Sequence, residues 1–248
     1  LELPTDRPRP AVQSFRGARH DFVVPPALVE SLHALSQRQG ATLFMTLLAS
    51  FQALLARYTG QREIVVGSPI APRNRAETEG LIVFFTNTLV LRTDLSGDPD
   101  FAALLGRVKG VALGAYAHQD VPFEKLVEEL QPERSLSRTP LFQVMFVLQN
   151  ISIKILDIAG LSMSVLEPDR ATAKFDLTLS MLEREDGLAG RFEYNTDLFE
   201  ADTIARLGAH LVTLLQSIVA EPQQKLSELP LLGGEELHNN HHADPHSA

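Results

Sequence analysis

The sequence predicts an α/β fold, a two-layer sandwich in which helices pack on a mixed β-sheet. Three observations carry this. Apolar residues recur at helical spacing in several segments, short β-branched or alternating runs lie between them, and the two kinds of segment intermix along the chain. At 248 residues the chain is long enough to bury one large core.

The opening, Leu1 to Ser14, is rich in proline, and each proline pushes the residue before it out of the helical region. It reads as an extended linker over residues 1–14, ahead of a folded domain over 15–232. Pro25-Pro26 places proline in the first turn of a helix, with Leu28, Leu32 and Leu35 on one face and Gly40 as the stop. From Thr42 to Tyr58 apolar residues fall on nearly every side, which predicts a buried helix ended by Gly60. Ile64 to Gly67 and Leu89 to Leu91 read as short buried strands joined through a polar loop.

A third helix follows Asp98-Pro99-Asp100 and carries Phe101, Leu104, Leu105, Val108 and Val111 at helical spacing. Pro122 opens a short helix to Leu130, and Phe142 to Leu148 reads as a strand. Phe175, Leu177, Leu179 and Met181 alternate with Asp176, Thr178 and Ser180, and a second run returns from Asp186-Gly187 to Tyr194. That pattern predicts a β-hairpin with a loop longer than two residues. The last helix turns Ile204, Leu207, Leu211, Leu214, Leu215 and Ile218 toward the core, and the His-rich stretch over 233–248 reads as a disordered tail.

A net charge of −9 and a pI near 5.4 argue against a nucleic-acid surface, which needs clustered Lys and Arg. The longest apolar stretch, Leu81 to Leu91, is interrupted by Thr86, Asn87 and Thr88 and falls short of the roughly 20 residues that span a bilayer. No nucleic-acid or membrane partner is therefore expected. Zero cysteines exclude thiol nucleophiles, disulfides and Cys-ligated zinc. The first ten residues lack both an initiating Met and the apolar centre of a signal peptide, so the sequence reads as starting mid-protein. A cytoplasmic location is expected.

His118 is a candidate general base, since imidazole titrates near neutrality and Asp120 lies two residues on. Asp120 also stands just before a helix with proline in its first turn, where a carboxylate caps free backbone N–H groups; on that reading His118 packs at the end of the preceding helix. Glu124 suits the positive end of the same helix. Asn87 and Thr88 are polar within an apolar run, and a buried amide without partners costs about 1–3 kcal/mol. Asn87 either satisfies backbone groups at a strand start or lines a polar channel. Arg138 is a solvated side chain, an ion-pair partner or a phosphate contact. The His-rich tail lacks the acidic partners that orient metal ligands, so no metal site is assigned. Neither a phosphate loop, a nucleophile elbow nor a dinucleotide fingerprint is present, and a hydrolase built on His118 and Asp120 would have no positioned nucleophile.

Three segments occur in order: Leu81-Ile82-Val83-Phe84-Phe85-Thr86-Asn87-Thr88-Leu89, His118-Gln119-Asp120-Val121-Pro122-Phe123-Glu124, and Arg134-Ser135-Leu136-Ser137-Arg138-Thr139-Pro140-Leu141. They resemble the later motifs of the condensation domains of nonribosomal peptide synthetases. Leu3-Pro4-Thr5-Asp6-Arg7-Pro8, Val65-Val66-Gly67-Ser68-Pro69, Lys174-Phe175-Asp176-Leu177 and Glu193-Tyr194-Asn195-Thr196-Asp197-Leu198-Phe199 resemble further segments of those domains. The likeness extends to about Leu232. Val83 stands where many members carry Gly, Thr86 where Val is usual, and Ser135 where Asp is frequent.

The resemblance implies one lobe, the C-terminal one, of a chloramphenicol acetyltransferase-like fold whose two lobes enclose a tunnel. There an amide forms between donor and acceptor groups tethered on the phosphopantetheine arms of peptidyl carrier proteins. The family's His-His-x-x-x-Asp-Gly motif belongs to the first lobe and is absent from this sequence. The chain is thus expected to be inactive alone, to bind no cofactor directly, and to work with the N-terminal lobe, both carrier proteins and adjacent synthetase domains. On this reading Asn87 and Thr88 approach the tunnel, His118, Asp120, Pro122 and Glu124 shape the helix start beside it, and Arg138 and Pro140 fix the loop after it. The competing expectation is a noncatalytic module that docks carrier proteins.

Overall fold

The structure is a computed structural model that describes residues 1–70, 86–133, 135–149, 171–184 and 186–232. Leu81 to Phe85, with Val83, as well as Arg134 and the tail over 233–248, lie outside the described residues. The described strands are β1 (Gly17–Val24), β2 (Glu63–Ile70), β3 (Asn87–Asp94), β4 (Val144–Gln149), β5 (Leu177–Arg184) and β6 (Gly187–Asn195). The helices are α1 (Pro26–Arg38), α2 (Leu43–Thr59), α3 (Phe101–Ala117), α4 (Phe123–Leu130) and α5 (Ala201–Ala220).

These strands form one sheet in the order β1-β6-β5-β4-β2-β3. β4 runs parallel to both β2 and β5, and the other pairs are antiparallel, so the sheet is mixed as expected. Two features depart from the sequence reading. β1 was not anticipated: Gly17 to Val24 mixes Arg19, His20 and Asp21 with Phe22 and Val23, and as an edge strand it buries only its two end residues fully. The β5–β6 hairpin pairs Arg184 with Gly187, so its connection is two residues long rather than longer. Gly187, at φ +126°, occupies backbone space that favours glycine there.

The core lies between the sheet and α2. Every residue of α2 from Met45 to Leu55 is buried, and Phe51 reaches Phe146 of β4 and Phe192 of β6 with ring centroids 6.1 and 6.2 Å away. Each large side chain so buried contributes about 1.5–3 kcal/mol. The helix begins where the Thr42 Oγ1 accepts the Met45 N–H at 3.3 Å, and ends at Gly60 with φ +68°. α5 is long and apolar enough to cross a membrane by length and composition. Its stripe of Ile204, Leu207, Leu211, Leu214, Leu215 and Ile218 is instead buried in the core, against β1, α1 and α2.

The opening segment carries no helix or strand, in keeping with its prolines, and lies docked along the domain. Leu1 and Leu3 pack on the core, and the Asp6 and Arg7 N–H groups donate to the Leu198 carbonyl at 2.9 and 3.2 Å.

Candidate functional site

Asn87, the first residue of β3, joins two of the sequence segments through one amide. Its Nδ2 donates to the Gln119 and Val121 carbonyls at 2.8 and 2.7 Å. Its Oδ1 accepts the Thr88 N–H at 2.8 Å and the Phe123 N–H at 3.0 Å. Both donors and both acceptor positions of the amide are used. The strand start, the turn after α3 and the first residue of α4 are therefore held to one another. Thr88 is half-buried and pairs with Pro69 in the β2–β3 register.

Pro122 is the N-cap of α4 and has no side chain able to cap. The Phe123 N–H, one of the free donors every helix start leaves, is satisfied by Asn87 from 36 residues away in sequence. This corrects the expectation that Asp120 caps the helix. Asp120 lies two residues before the N-cap, out of position for the second and third helical N–H groups, and among the described residues its exposed carboxylate accepts no hydrogen bond. His118 is the C-cap of α3: its N–H donates to the Ala115 carbonyl at 3.1 Å and its carbonyl accepts the Val121 N–H at 3.1 Å. Its imidazole is exposed and makes no hydrogen bond to Asp120. The general-base pair is not assembled.

Glu124, Arg138 and Pro140 come together across a groove of about 860 Å³ between α4 and residues of 131–133 and 135–140. Val127, Pro132 and Leu136 supply its apolar lining, and Glu128 and Glu133 join Glu124 as carboxylates around it. No residue of α4 is fully buried, and the groove residue Leu136 is 78% exposed, so the groove is open and offers apolar surface. Arg138 pairs with Glu2 at 3.1 Å. Of the alternatives for Arg138, the ion pair is the one formed; being exposed, it adds little stability.

A row of aromatic rings seats these walls on the sheet. Phe142 meets Phe123 at 5.7 Å and Phe175 at 5.3 Å between centroids, and its ring lies over Gly67 of β2, where any Cβ would run into it. The Thr139 hydroxyl donates to the Phe142 carbonyl, and the Gln143 Nε2 donates to the Thr139 carbonyl at 3.1 Å. Sequence reasoning assigned no site role to Phe142, Arg9 or Asp176, although Asp176 lies in one of the segments that resemble the family. The Gly67 position carried no local sign of Phe142, which lies 75 residues on in the numbering.

Depressed carboxyl pKa values occur elsewhere. Hydrogen bonds from Ser14 and Arg16 hold Asp197 below its ordinary value of 3.8, and Arg191 does the same for Asp21. Among the described residues no group of three His, Asp or Glu side chains is placed to hold a metal ion. What the groove offers is shape and apolar surface edged by the Glu124, Glu128 and Glu133 carboxylates and Arg138, which serve to hold and orient a bound group.

The condensation domain family matches residues 1–238. A linear gramicidin synthase of Brevibacillus parabrevis is 58% identical over 238 residues, covering 95% of this chain and 5% of that protein. Phosphinothricin tripeptide synthetase PhsC of Streptomyces viridochromogenes is 44% identical over 247 residues, covering 96% of this chain and 22% of that protein. Among solved structures, the complex of the X-domain and OxyB from teicoplanin biosynthesis matches with a TM-score of 0.85 and 32% identity, over 94% of this chain and 52% of that one. A four-domain nonribosomal peptide synthetase bound to AMP and glycine matches with a TM-score of 0.84 and 26% identity, over 94% of this chain and 19% of that one. The chain thus spans a small part of the synthetases it matches and about half of the X-domain chain.

Proposed function

The chain belongs to the condensation domain family of nonribosomal peptide synthetases, with the chloramphenicol acetyltransferase-like fold of those domains, and we propose that it is the C-terminal lobe of such a domain. In this role it supplies one wall of the tunnel in which an amide forms between a carrier-tethered acyl donor and a carrier-tethered amine. The observation that carries the reading is the meeting, around the start of α4, of residues from the segments that resemble the family's motifs: Asn87 fixes the Phe123 N–H, and Glu124, Arg138 and Pro140 line the groove beside it.

The lobe's contribution is positional. Two tethered reactants held in line can gain a large part of their rate from proximity and orientation, and the apolar floor of the groove at Val127, Pro132 and Leu136 suits the uncharged shaft of a phosphopantetheine arm. The histidine that assists the amine's attack belongs to the motif absent from this sequence, so amide formation requires the N-terminal lobe. Donor and acceptor carrier proteins and neighbouring synthetase domains are the partners, in the cytoplasm. A carrier protein whose pantetheine ends in a photo-crosslinker tests the placement: labelling within 119–124 and 135–140 supports it, and labelling confined to the outer surfaces of α1 and α5 contradicts it.

A second reading, a noncatalytic docking module, is favoured by the X-domain likeness, since that structure is a complex with another protein, OxyB. The readings part at chemistry. The docking module binds loaded carriers and leaves them unjoined even when the N-terminal lobe is present.

A further inference from the structure

Arg9 is the one residue of the opening segment that reaches both the sheet and the wall of the groove through a single side chain. Its Nη1 donates to the Ser137 carbonyl at 3.1 Å and to the Asp176 Oδ1 at 3.0 Å, while its Nη2 donates to the Asp176 Oδ2. The Asp176 side chain is 5% exposed and that of Arg9 20%. A two-pronged guanidinium–carboxylate pair in such surroundings is strong and geometrically specific. Asp176 is itself immobilised at the head of β5: its N–H donates to the Gln143 carbonyl and its carbonyl accepts the Asn195 N–H, both at 3.0 Å.

The third arm of the fork falls on Ser137, the neighbour of the groove residue Arg138. Two further links run the same way. The Gln13 N–H donates to the Leu136 carbonyl at 3.0 Å, and Glu2 pairs with Arg138. The segment from Leu136 to Arg138 is thus fastened, residue by residue, to the first 13 residues of the chain. Arg9 is the only one of these fasteners anchored on a buried carboxylate.

We propose that Arg9 is a positioning residue for the condensation reaction, holding the Ser137 carbonyl and with it the groove wall at the distance from α4 that a tethered arm requires. The proposal rests on the tunnel-wall reading above.

The test uses the two-lobed enzyme with loaded carrier proteins, and compares Arg9→Gln with Arg7→Gln. Arg7 sits in the same segment but bonds Thr196 and Glu200, away from the groove. The expected result is a fall in kcat of at least about tenfold for Arg9→Gln, since sub-ångström to ångström misplacement has effects of this order or larger, with KM for the acceptor carrier within about twofold and Arg7→Gln unchanged. Hydrogen exchange of the amides in 135–139 should quicken in Arg9→Gln, because their anchor is cut. A folded Arg9→Gln enzyme with wild-type kcat, or with unchanged exchange in that segment, overturns the proposal. Should Arg9→Gln fail to fold, Arg9→Lys, which keeps the charge against Asp176 and loses the fork, carries the same comparison. If the wild-type enzyme made no amide, the tunnel reading would fail, while exchange would still decide whether Arg9 holds the wall.

Discussion

Asn87 caps the helix that begins at Phe123: its Oδ1 accepts the Phe123 N–H at 3.0 Å while its Nδ2 holds the Gln119 and Val121 carbonyls on the other side of the turn. Asn87→Ala leaves these groups without a side-chain partner, at a cost of about 1–3 kcal/mol. Asn87→Asp is the sharper probe. It keeps an acceptor for Phe123 but turns a carboxylate oxygen toward two carbonyls, so it should be destabilised at least as much. Urea unfolding of the two variants checks both statements; an Asn87→Asp protein as stable as wild type would contradict the bonding described.

Gly67 leaves the space that the Phe142 ring fills, and that ring is buried between the half-buried rings of Phe123 and Phe175. Gly67→Ala should cost about 1–3 kcal/mol by overpacking. Phe142→Ala should cost about 3–5 kcal/mol. Combining the two should cost less than their sum, because the alanine methyl no longer meets a ring; strict additivity in denaturant midpoints would show that the contact is unimportant.

Two aspartates make a paired test of helix starts. The Asp100 Oδ1 accepts the Ala103 N–H at 2.7 Å and caps α3, whereas Asp120 caps nothing among the described residues. Asp100→Ala should lower stability by about 0.5–2 kcal/mol, and Asp120→Ala should stay within about 0.5 kcal/mol of wild type. Thermal melts that reversed this order would restore the sequence-based assignment of Asp120.

Acid should weaken the attachment of β1, and of the residues just before it, to β6 and the turn that follows. Asp197, held by Ser14 and Arg16, and Asp21, held by Arg191, both have carboxyl pKa values depressed below 3.8. A depressed folded-state value means the unfolded chain takes up protons first as pH falls. The stability these groups contribute is therefore complete above about pH 4 and lost as pH drops through their lower folded-state values. The thermal midpoint should decline below that pH, and less steeply in Asp197→Asn; an identical slope in the variant would remove Asp197 from the account.

What the sequence made legible was local. Thr42 and Gly60 bracket α2 as their types suggest, and the apolar stripe of α5 points inward as its spacing requires. β1 escaped notice because Arg19, His20 and Asp21 obscure its alternation, and an edge strand needs apolar residues on less of its surface. In the candidate site, the segments were visible but their joints were not. The cap of α4 comes from Asn87, and the Arg9 fork closes on Asp176 across 167 positions. Such pairings are set by sheet order and packing, which no window of neighbouring residues encodes. The polar amide inside an apolar run was the one hint, and it left two readings of Asn87 standing.

The most direct measurement is amide formation followed by intact-protein mass spectrometry, with aminoacyl-loaded donor and acceptor carrier proteins, for this chain alone and for the chain joined to its N-terminal lobe. The account predicts a dipeptidyl acceptor carrier with the two-lobed form and none with this chain alone. Product from this chain alone, or no product from the two-lobed form, would contradict it.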